Sequence, residues 1–242
     1  MTTATAERTH TFPGPWLGGA SLIAGPVLLL AGALLRLGVP FFFPDQLDAY
    51  RRQPALIGTA YALLLAGTIV LWPGVVAVAA RVAVTRPVWA VWGGSLVMFG
   101  LFARTFHHGV NTFAFSLAGS GGTSTAEQAV GAYYRYPEWV VSSLSVAVLL
   151  GWIVLAAGCH LSGTLRLPSA FALALMSGLM VGVLKGSTWA SAVQVTGLVV
   201  AFVPLGAALL RGATRPSRRA TVRTVVVVVS FVVGSVVLGQ LG

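Results

Sequence analysis

Charged and sulfur-bearing side chains are scarce in this sequence. Only 8% of its 242 residues are charged and only five are acidic, whereas a soluble domain carries about 25% charged residues. The single cysteine, Cys159, excludes an intrachain disulfide and any cysteine-clustered metal site. So little charge cannot wet the surface of an ordinary soluble domain, and that class is excluded.

Apolar residues fill the space that charge leaves. Hydrophobic residues make up 57% of the chain, and they gather in runs of about 20 residues, the length of a membrane-crossing helix. A β-barrel would show short alternating segments instead. We therefore predict an all-α membrane protein, a single transmembrane domain over 1–242 with a polar cytoplasmic segment at 1–15 and about seven helices. The predicted spans are 16–38, 55–80, 88–117, 138–160, 167–185, 190–210 and 224–241.

The net charge of +10 is distributed as orientation signals rather than as a nucleic-acid surface, so we predict no nucleic-acid partner. Basic residues concentrate in the loops of the cytoplasmic side of multi-pass proteins. With the N-terminus inside and the C-terminus outside, nine basic residues fall in inner segments and three in outer loops. The inner set is Arg8, Arg81, Arg86, Arg166, Arg211, Arg215, Arg218, Arg219 and Arg223, and the outer set is Arg51, Arg52 and Arg135. The expected location is the cell membrane.

Two outer loops, 39–54 and 118–137, carry clustered aromatic residues. The first contains three consecutive phenylalanines at 41–43, and the second contains Tyr133, Tyr134 and Tyr136 after a glycine- and serine-rich run that predicts a flexible loop. Aromatic clusters at this depth are typical of interfacial belts. They are equally suited to form the lip of a site for an apolar ligand, and the sequence leaves both interpretations open.

The third predicted span contains polar residues that a lipid-facing helix would not carry. Four of them recur at i, i+3, i+4 and i+7 and so share one helix face: Arg104, His107, His108 and Asn111. A charged residue at the centre of a span costs about 2.5–3.5 kcal/mol on insertion scales, so it usually faces the protein interior or a water-filled cavity. Gly93 and Gly100 extend this face and predict close packing against another helix.

Polar residues on other spans lie at a similar depth toward the outer side. Glu138 begins the fourth span, and Lys185 ends the fifth. Together with the face of the third span they predict an outward-facing polar pocket. Each also has a simpler interpretation, because an acid is favoured at a helix N-terminus and a lysine at a span end extends its ammonium to the interface.

Recognisable motifs for metals and cofactors are missing. His107 and His108 point about 100 degrees apart on a helix, and no His-x-x-x-His or Glu-x-x-His spacing accompanies them. There is no Walker loop, no G-x-S-x-G, no H-E-x-x-H and no aspartate-rich magnesium motif. We therefore predict no metal site and no cofactor.

With about 240 residues, seven predicted spans and aromatic outer loops, the chain resembles the small integral-membrane terpene cyclases of meroterpenoid and indole-terpenoid pathways. The resemblance implies a membrane-embedded enzyme that cyclises an apolar, prenylated small molecule by protonation. It implies Glu138 as the general acid, and we predict that His107, His108 and Arg104 complete the catalytic group. The predicted substrate-binding residues are Asn111, Tyr133, Tyr134, Trp139, Trp152, Lys185 and Trp189.

Two other classes of function remain open from the sequence. One is a small transporter or exporter built on a parallel internal repeat. The repeat is indicated by a similar series of residues at the inner ends of the second and sixth predicted spans: Pro73, Arg81 and 85–87 (Thr-Arg-Pro), then Pro204, Arg211 and 214–216 (Thr-Arg-Pro). The chain also fits a non-catalytic membrane protein, such as an immunity or assembly factor, in which Arg104 and the histidines would form a structural network. The sequence decides neither whether the chain is an enzyme nor its oligomeric state.

Overall fold

The computed structural model describes residues 12–136, 138–214 and 218–241, and within them the chain is helical without a β-strand. The predicted polar segment therefore lies largely outside the described residues, as do Arg8 and Arg215. The chain forms two compact units, Met1–Arg211 and Gly212–Gly242. The helices are α1 (Gly14–Leu35), α2 (Phe43–Arg52), α3 (Pro54–Ala83), α4 (Pro87–Gly121), α5 (Thr123–Arg135), α6 (Trp139–Leu161), α7 (Leu167–Ala174), α8 (Trp189–Gly212) and α9 (Arg218–Leu241).

Five helices are long and apolar enough to cross a membrane: α1, α3, α4, α6 and α8. They correspond to the first, second, third, fourth and sixth predicted spans. An apolar helical bundle of this kind is compatible with a multi-pass membrane protein. The seventh predicted span falls within α9, in the second unit. The count of seven and the inside N-terminus stay predictions, and "outer end" below means the end of the first unit that carries α2 and α5.

Proline marks the start of several helices. Pro54, Pro87 and Pro168 lie in the first turn of α3, α4 and α7. The first-turn amides have no partner within the helix, so a residue without an N–H costs nothing there. Pro137, just before α6, lies outside the described residues.

Small residues allow the long helices to pack closely in antiparallel pairs. α1 lies against α3, where a Cβ added to Gly25 would approach the Cα of Leu71 to 3.0 Å. α4 lies against α6, where a Cβ at Gly93 would come within 2.7 Å of the Leu155 backbone and one at Gly100 would overlap Val148. The close packing predicted for Gly93 and Gly100 is confirmed.

The two outer loops are more ordered than the sequence indicated. α2 and α5 form within them, and each buries two residues: Gln46 and Leu47 in α2, Ala126 and Val130 in α5. The predicted flexible glycine-serine loop is wrong, because helix continues on both sides of Gly122, whose φ of 85° favours glycine. Both helices are too short, at 10 and 13 residues, for their buried faces to be recognised as membrane spans from the sequence.

The fifth predicted span is wrong as a continuous helix. α7 ends at Ala174, a 3-10 turn follows at Leu175–Gly178, and the chain then runs without helix to Thr188. This part is called the 179–188 segment. Leu161, at the end of α6, accepts a hydrogen bond from Arg86 just before α4, and α7 begins six residues after Leu161. An isolated parallel bridge joins Leu37 to Ser187 at the outer end. The chain thus passes from one end of the bundle to the other, half as helix and half as irregular backbone.

Candidate functional site

The polar face of α4 supports the 179–188 segment. The guanidinium of Arg104 donates to the carbonyl oxygens of Leu179 at 2.7 Å and Met180 at 3.3 Å. Asn111 Oδ1 accepts the backbone N–H of Leu184 at 2.7 Å. In a membrane, irregular backbone persists only where protein groups or a water-filled cavity satisfy it. Two of the residues singled out in the sequence therefore replace the helical partners that this segment lacks.

Backbone conformation explains why the segment leaves the helix. Gly182 has φ 153° and Leu184 has φ 50°, and Leu184 is the single non-glycine residue of positive φ among those described. A non-glycine residue in the left-handed region costs about 1–3 kcal/mol and persists where its surroundings hold it. The bond from its N–H to Asn111 supplies such a restraint.

The outer helices hold the far end of the segment. Tyr134, in α5, donates its hydroxyl to the carbonyl oxygen of Val183 at 2.7 Å. Burial raises the pKa of Tyr134 to about 12, so the phenol stays protonated and able to donate at neutral pH. The N–H of Gly186 donates to the carbonyl oxygen of Phe41 at 2.8 Å. The segment is thereby tied to both outer loops.

Between the segment and helices α1, α3, α4 and α8 lies a cavity of about 70 Å³. One water molecule needs about 10–15 Å³ by this measure, so the cavity has room for several waters or a small ion. Its apolar part comes from residues such as Leu29, Leu71 and Val195. Its polar lining consists of Arg36, Tyr61, Thr68, Arg104, His107, His108, Asn111, Lys185, Ser187 and Ser191. The structure thus brings Arg104, both histidines, Asn111 and Lys185 together.

Arg36 is a member of this site that sequence reasoning did not select. Its Nε donates to Ser187 Oγ at 2.9 Å, and its guanidinium carbon lies 4.6 Å from the centroid of the Tyr61 ring. The Tyr61 hydroxyl in turn donates to Gln46 Oε1 at 3.0 Å. A signal was present, since an arginine at the end of an apolar run needs a partner, but a lysine or arginine there is usually interfacial.

Lys185 lies at the outer end of the cavity among aromatic rings. Its Nζ is 5.5 Å from the centroid of Phe41, 5.8 Å from Phe42 and 5.1 Å from Tyr134. An ammonium within about 6 Å of a ring centroid is attracted to the ring face. The aromatic outer loops therefore surround a lysine, which neither sequence interpretation anticipated.

No aspartate or glutamate is among the described residues that line this cavity. Asp48 lies 4.0 Å from Arg52 in α2. Glu138 is the N-cap of α6, where it accepts the backbone N–H groups of Val140 and Val141 at 2.9 and 3.3 Å. The three cationic side chains of the cavity thus face one another without a carboxylate among the lining residues.

Arg104 also carries a donor that lacks a partner. Its Nε is buried and makes no hydrogen bond to any residue of the described ranges. A buried donor left unsatisfied costs about 1–3 kcal/mol, and more when it belongs to a charged group. The site as it stands is therefore short of hydrogen-bond acceptors as well as of negative charge.

Tyr133 connects Glu138 with the cavity. Its ring centroid lies 6.3 Å from that of His107, with the two rings nearly perpendicular. Burial first and the Glu138 carboxylate second raise the pKa of Tyr133.

Within the described parts of the chain, no three His, Cys, Asp or Glu side chains gather as metal ligands.

The tryptophans implied by the cyclase resemblance lie apart from this cavity. Trp152 is fully buried in the core, 6.3 Å from the Phe202 ring. Trp139 and Trp189 are 79% and 76% exposed at the starts of α6 and α8. These positions fit a packing role for Trp152 and an interfacial role for the other two.

Comparisons with known proteins leave the assignment to the site itself. No protein-family model matches the chain, and no curated protein or solved structure matches it either.

Proposed function

We propose that this chain is a small transporter of the cell membrane that binds an anionic ligand in the cavity beside the 179–188 segment. The observation that carries the proposal is the cationic lining formed by Arg36, Arg104 and Lys185, without a carboxylate among the described lining residues. Removing a charge from water costs several kcal/mol unless a partner compensates it. An anion supplies that partner.

The break in the fifth predicted span supports a transport role rather than a purely structural one. Discontinuous helices near the middle of the membrane are where secondary transporters bind their substrates, because unwound backbone lines the cavity there. In this chain the unwound part is held by side-chain bonds from Arg104, Asn111 and Tyr134. For such a segment to shift, these hydrogen bonds must change, whereas no helix has to unwind.

The geometry fits a compact oxyanion. The unpartnered Nε of Arg104 and the guanidinium of Arg36 present planar N–H donors, which match carboxylate and phosphate oxygens. Lys185 adds a point charge at the outer end. Ser187 in the 179–188 segment and Ser191 in the first turn of α8 add hydroxyl groups to the lining.

We expect Arg36→Gln to weaken the binding of inorganic phosphate to the purified protein about 10-fold or more. A hydrogen bond to a charged group contributes about 1.5–3 kcal/mol, and about 1.4 kcal/mol corresponds to a factor of ten. Calorimetric titration measures the affinity, and phosphate uptake into proteoliposomes should fall with it. Arg135→Gln, at an exposed arginine in α5, is the matched control and should bind as the unaltered protein does. Equal phosphate affinity in both variants would show that Arg36 does not bind the anion and would contradict the proposed anion site.

A second candidate is the terpene cyclase that the sequence resembles, with Glu138 as general acid. The observation that favours it is the packing of Tyr133 against His107, together with the electrostatic effect of Glu138 on the pKa of Tyr133. The difficulty is chemical. Protonation of an olefin needs an acid beside the substrate, whereas Glu138 accepts two backbone N–H groups as the cap of α6 and is not among the residues that line the cavity.

The cyclase hypothesis predicts that Glu138→Gln lowers turnover of prenylated indole or phenol substrates by membranes about 100-fold, the scale of general acid catalysis. Glu127→Gln in α5 serves as the comparison and should keep full activity. Cyclised product formed at an unchanged rate by the Glu138 variant would exclude Glu138 as the acid.

A further inference from the structure

A cleft between α3 and α4 lies directly beside the cationic cavity. Its lining includes Ala62 and Leu65 from α3, Thr112 and Phe115 from α4, and Tyr50 from α2. Ala62 and Thr112 are exposed side chains of helices that are long and apolar enough to cross a membrane. In a bilayer this cleft opens toward lipid.

Tyr61 and His108 line both the cleft and the cavity. Their ring centroids are 6.5 Å apart and the rings are nearly perpendicular. Tyr61 is 6% exposed and is held by its bond to Gln46 and by the Phe115 ring, 4.9 Å away. Two side chains, rather than a turn of backbone, therefore separate the cationic cavity from the lipid-facing cleft.

The outer end of the cavity is more thoroughly covered. The backbone of Gly186 is bonded to Phe41, the bridge between Leu37 and Ser187 lies beside it, and Lys185 is placed among aromatic rings. A ligand that arrived from water would have to break backbone contacts. A ligand that arrived from the lipid would have to rotate Tyr61 and His108, which breaks side-chain contacts such as the Tyr61–Gln46 hydrogen bond but no backbone contact.

We propose that the ligand is an anionic amphiphile that enters sideways from the membrane between α3 and α4, with its anionic group in the cavity and its apolar chain in the cleft. This inference rests on the proposed anion site and adds the class of ligand and its route. We infer an anionic head group because the lining of the cavity is cationic. We infer an apolar chain because the cleft adjoins the cavity on its lipid-facing side.

The same head-group chemistry is available from a free anion in water, so the test compares the two sources. The protein is placed in nanodiscs of uncharged phosphatidylcholine. The amphiphile is dodecyl phosphate with a photoactivatable diazirine on its chain, and inorganic phosphate is the free anion. We expect crosslinks to concentrate in peptides that contain 58–65 and 112–116, and we expect Arg104→Gln to reduce them at least fivefold.

Filling the cleft distinguishes the sideways route from general lipid contact. Ala62→Trp should reduce the crosslinks at 112–116 at least fivefold while leaving the affinity for inorganic phosphate unchanged. Ile69→Trp is the matched control, because Ile69 is 51% exposed on the same helix and does not line the cleft. That variant should label like the unaltered protein.

Two different failures can be told apart. Crosslinks that spread evenly over exposed helix faces, unaffected by Arg104→Gln and Ala62→Trp, would overturn the sideways route even if phosphate binding still depends on Arg36. Phosphate binding that ignores Arg36 would instead overturn the anion site, and the amphiphile proposal would fall with it. A dodecyl trimethylammonium analogue that labels the cleft as strongly would also contradict an anionic head.

Discussion

Arg104→Gln is expected to lower the affinity for inorganic phosphate about 100-fold and to loosen the 179–188 segment. The arginine contributes charge to the cavity and two hydrogen bonds to the carbonyl oxygens of Leu179 and Met180. Each hydrogen bond to a charged group is worth about 1.5–3 kcal/mol. Arg104→Gln removes both a charge and the support of the segment, so we expect it to weaken phosphate binding more than Arg36→Gln does. A glutamine keeps a single amide NH2 group and no charge.

Hydrogen–deuterium exchange separates these two contributions. In Arg104→Gln, amides of the 179–188 segment should exchange faster, while those of α3 should not change. Arg104→Lys keeps the charge but not the planar fork, so it should recover part of the affinity while the segment still exchanges faster. Unchanged exchange and unchanged affinity in Arg104→Gln would show that this arginine neither holds the segment nor binds the ligand.

Gly100→Leu should strongly destabilise the first unit of the chain. A Cβ at Gly100 already overlaps Val148, so a larger side chain must push α4 and α6 apart. Overpacking costs about 1–3 kcal/mol and sometimes more, and a change of 3 kcal/mol corresponds to about 6–12 °C in melting temperature for a chain of this size. A thermal melt followed by size-exclusion chromatography in detergent measures the shift.

Gly109→Leu is the control for that experiment. Gly109 lies in the same helix, is exposed, and has no atom within 4 Å of an added Cβ. Leucine there should leave the melting temperature within a few degrees of the unaltered protein. Equal melting temperatures for the two variants would contradict the close α4–α6 packing.

Local sequence patterns anticipated what depends on neighbours along the chain. The apolar runs at five of the seven predicted spans correspond to α1, α3, α4, α6 and α8, and the glycines of α4 predicted a close helix contact. α2 was missed because Pro44 lies within it and Pro40 and Pro54 flank it, which indicated a loop, and because its ten residues are mostly polar. The break after Gly178 was missed because hydropathy averages over apolar residues regardless of backbone conformation.

The partners of the polar residues were beyond the reach of local patterns. Spacing placed Arg104 and Asn111 on one helix face, but their bonds reach residues 73 to 76 positions away, and Arg36 reaches Ser187 across 151 positions. Glu138 shows the opposite case. A helix-start position predicted an N-cap as readily as a catalytic acid, and the structure places it as the N-cap.

The sequence by itself determined that this chain is built from apolar helices and that α4 carries a polar face, because hydropathy and helical periodicity are read from residues close together in the chain. Only the tertiary structure decided that Arg36, Arg104 and Lys185 share one cavity and that the fifth predicted span is half unwound beside it. A cavity is made by helices that are distant in sequence. Its charge depends on which side chains line it, and hydrogen bonds from other helices stabilise the unwound backbone.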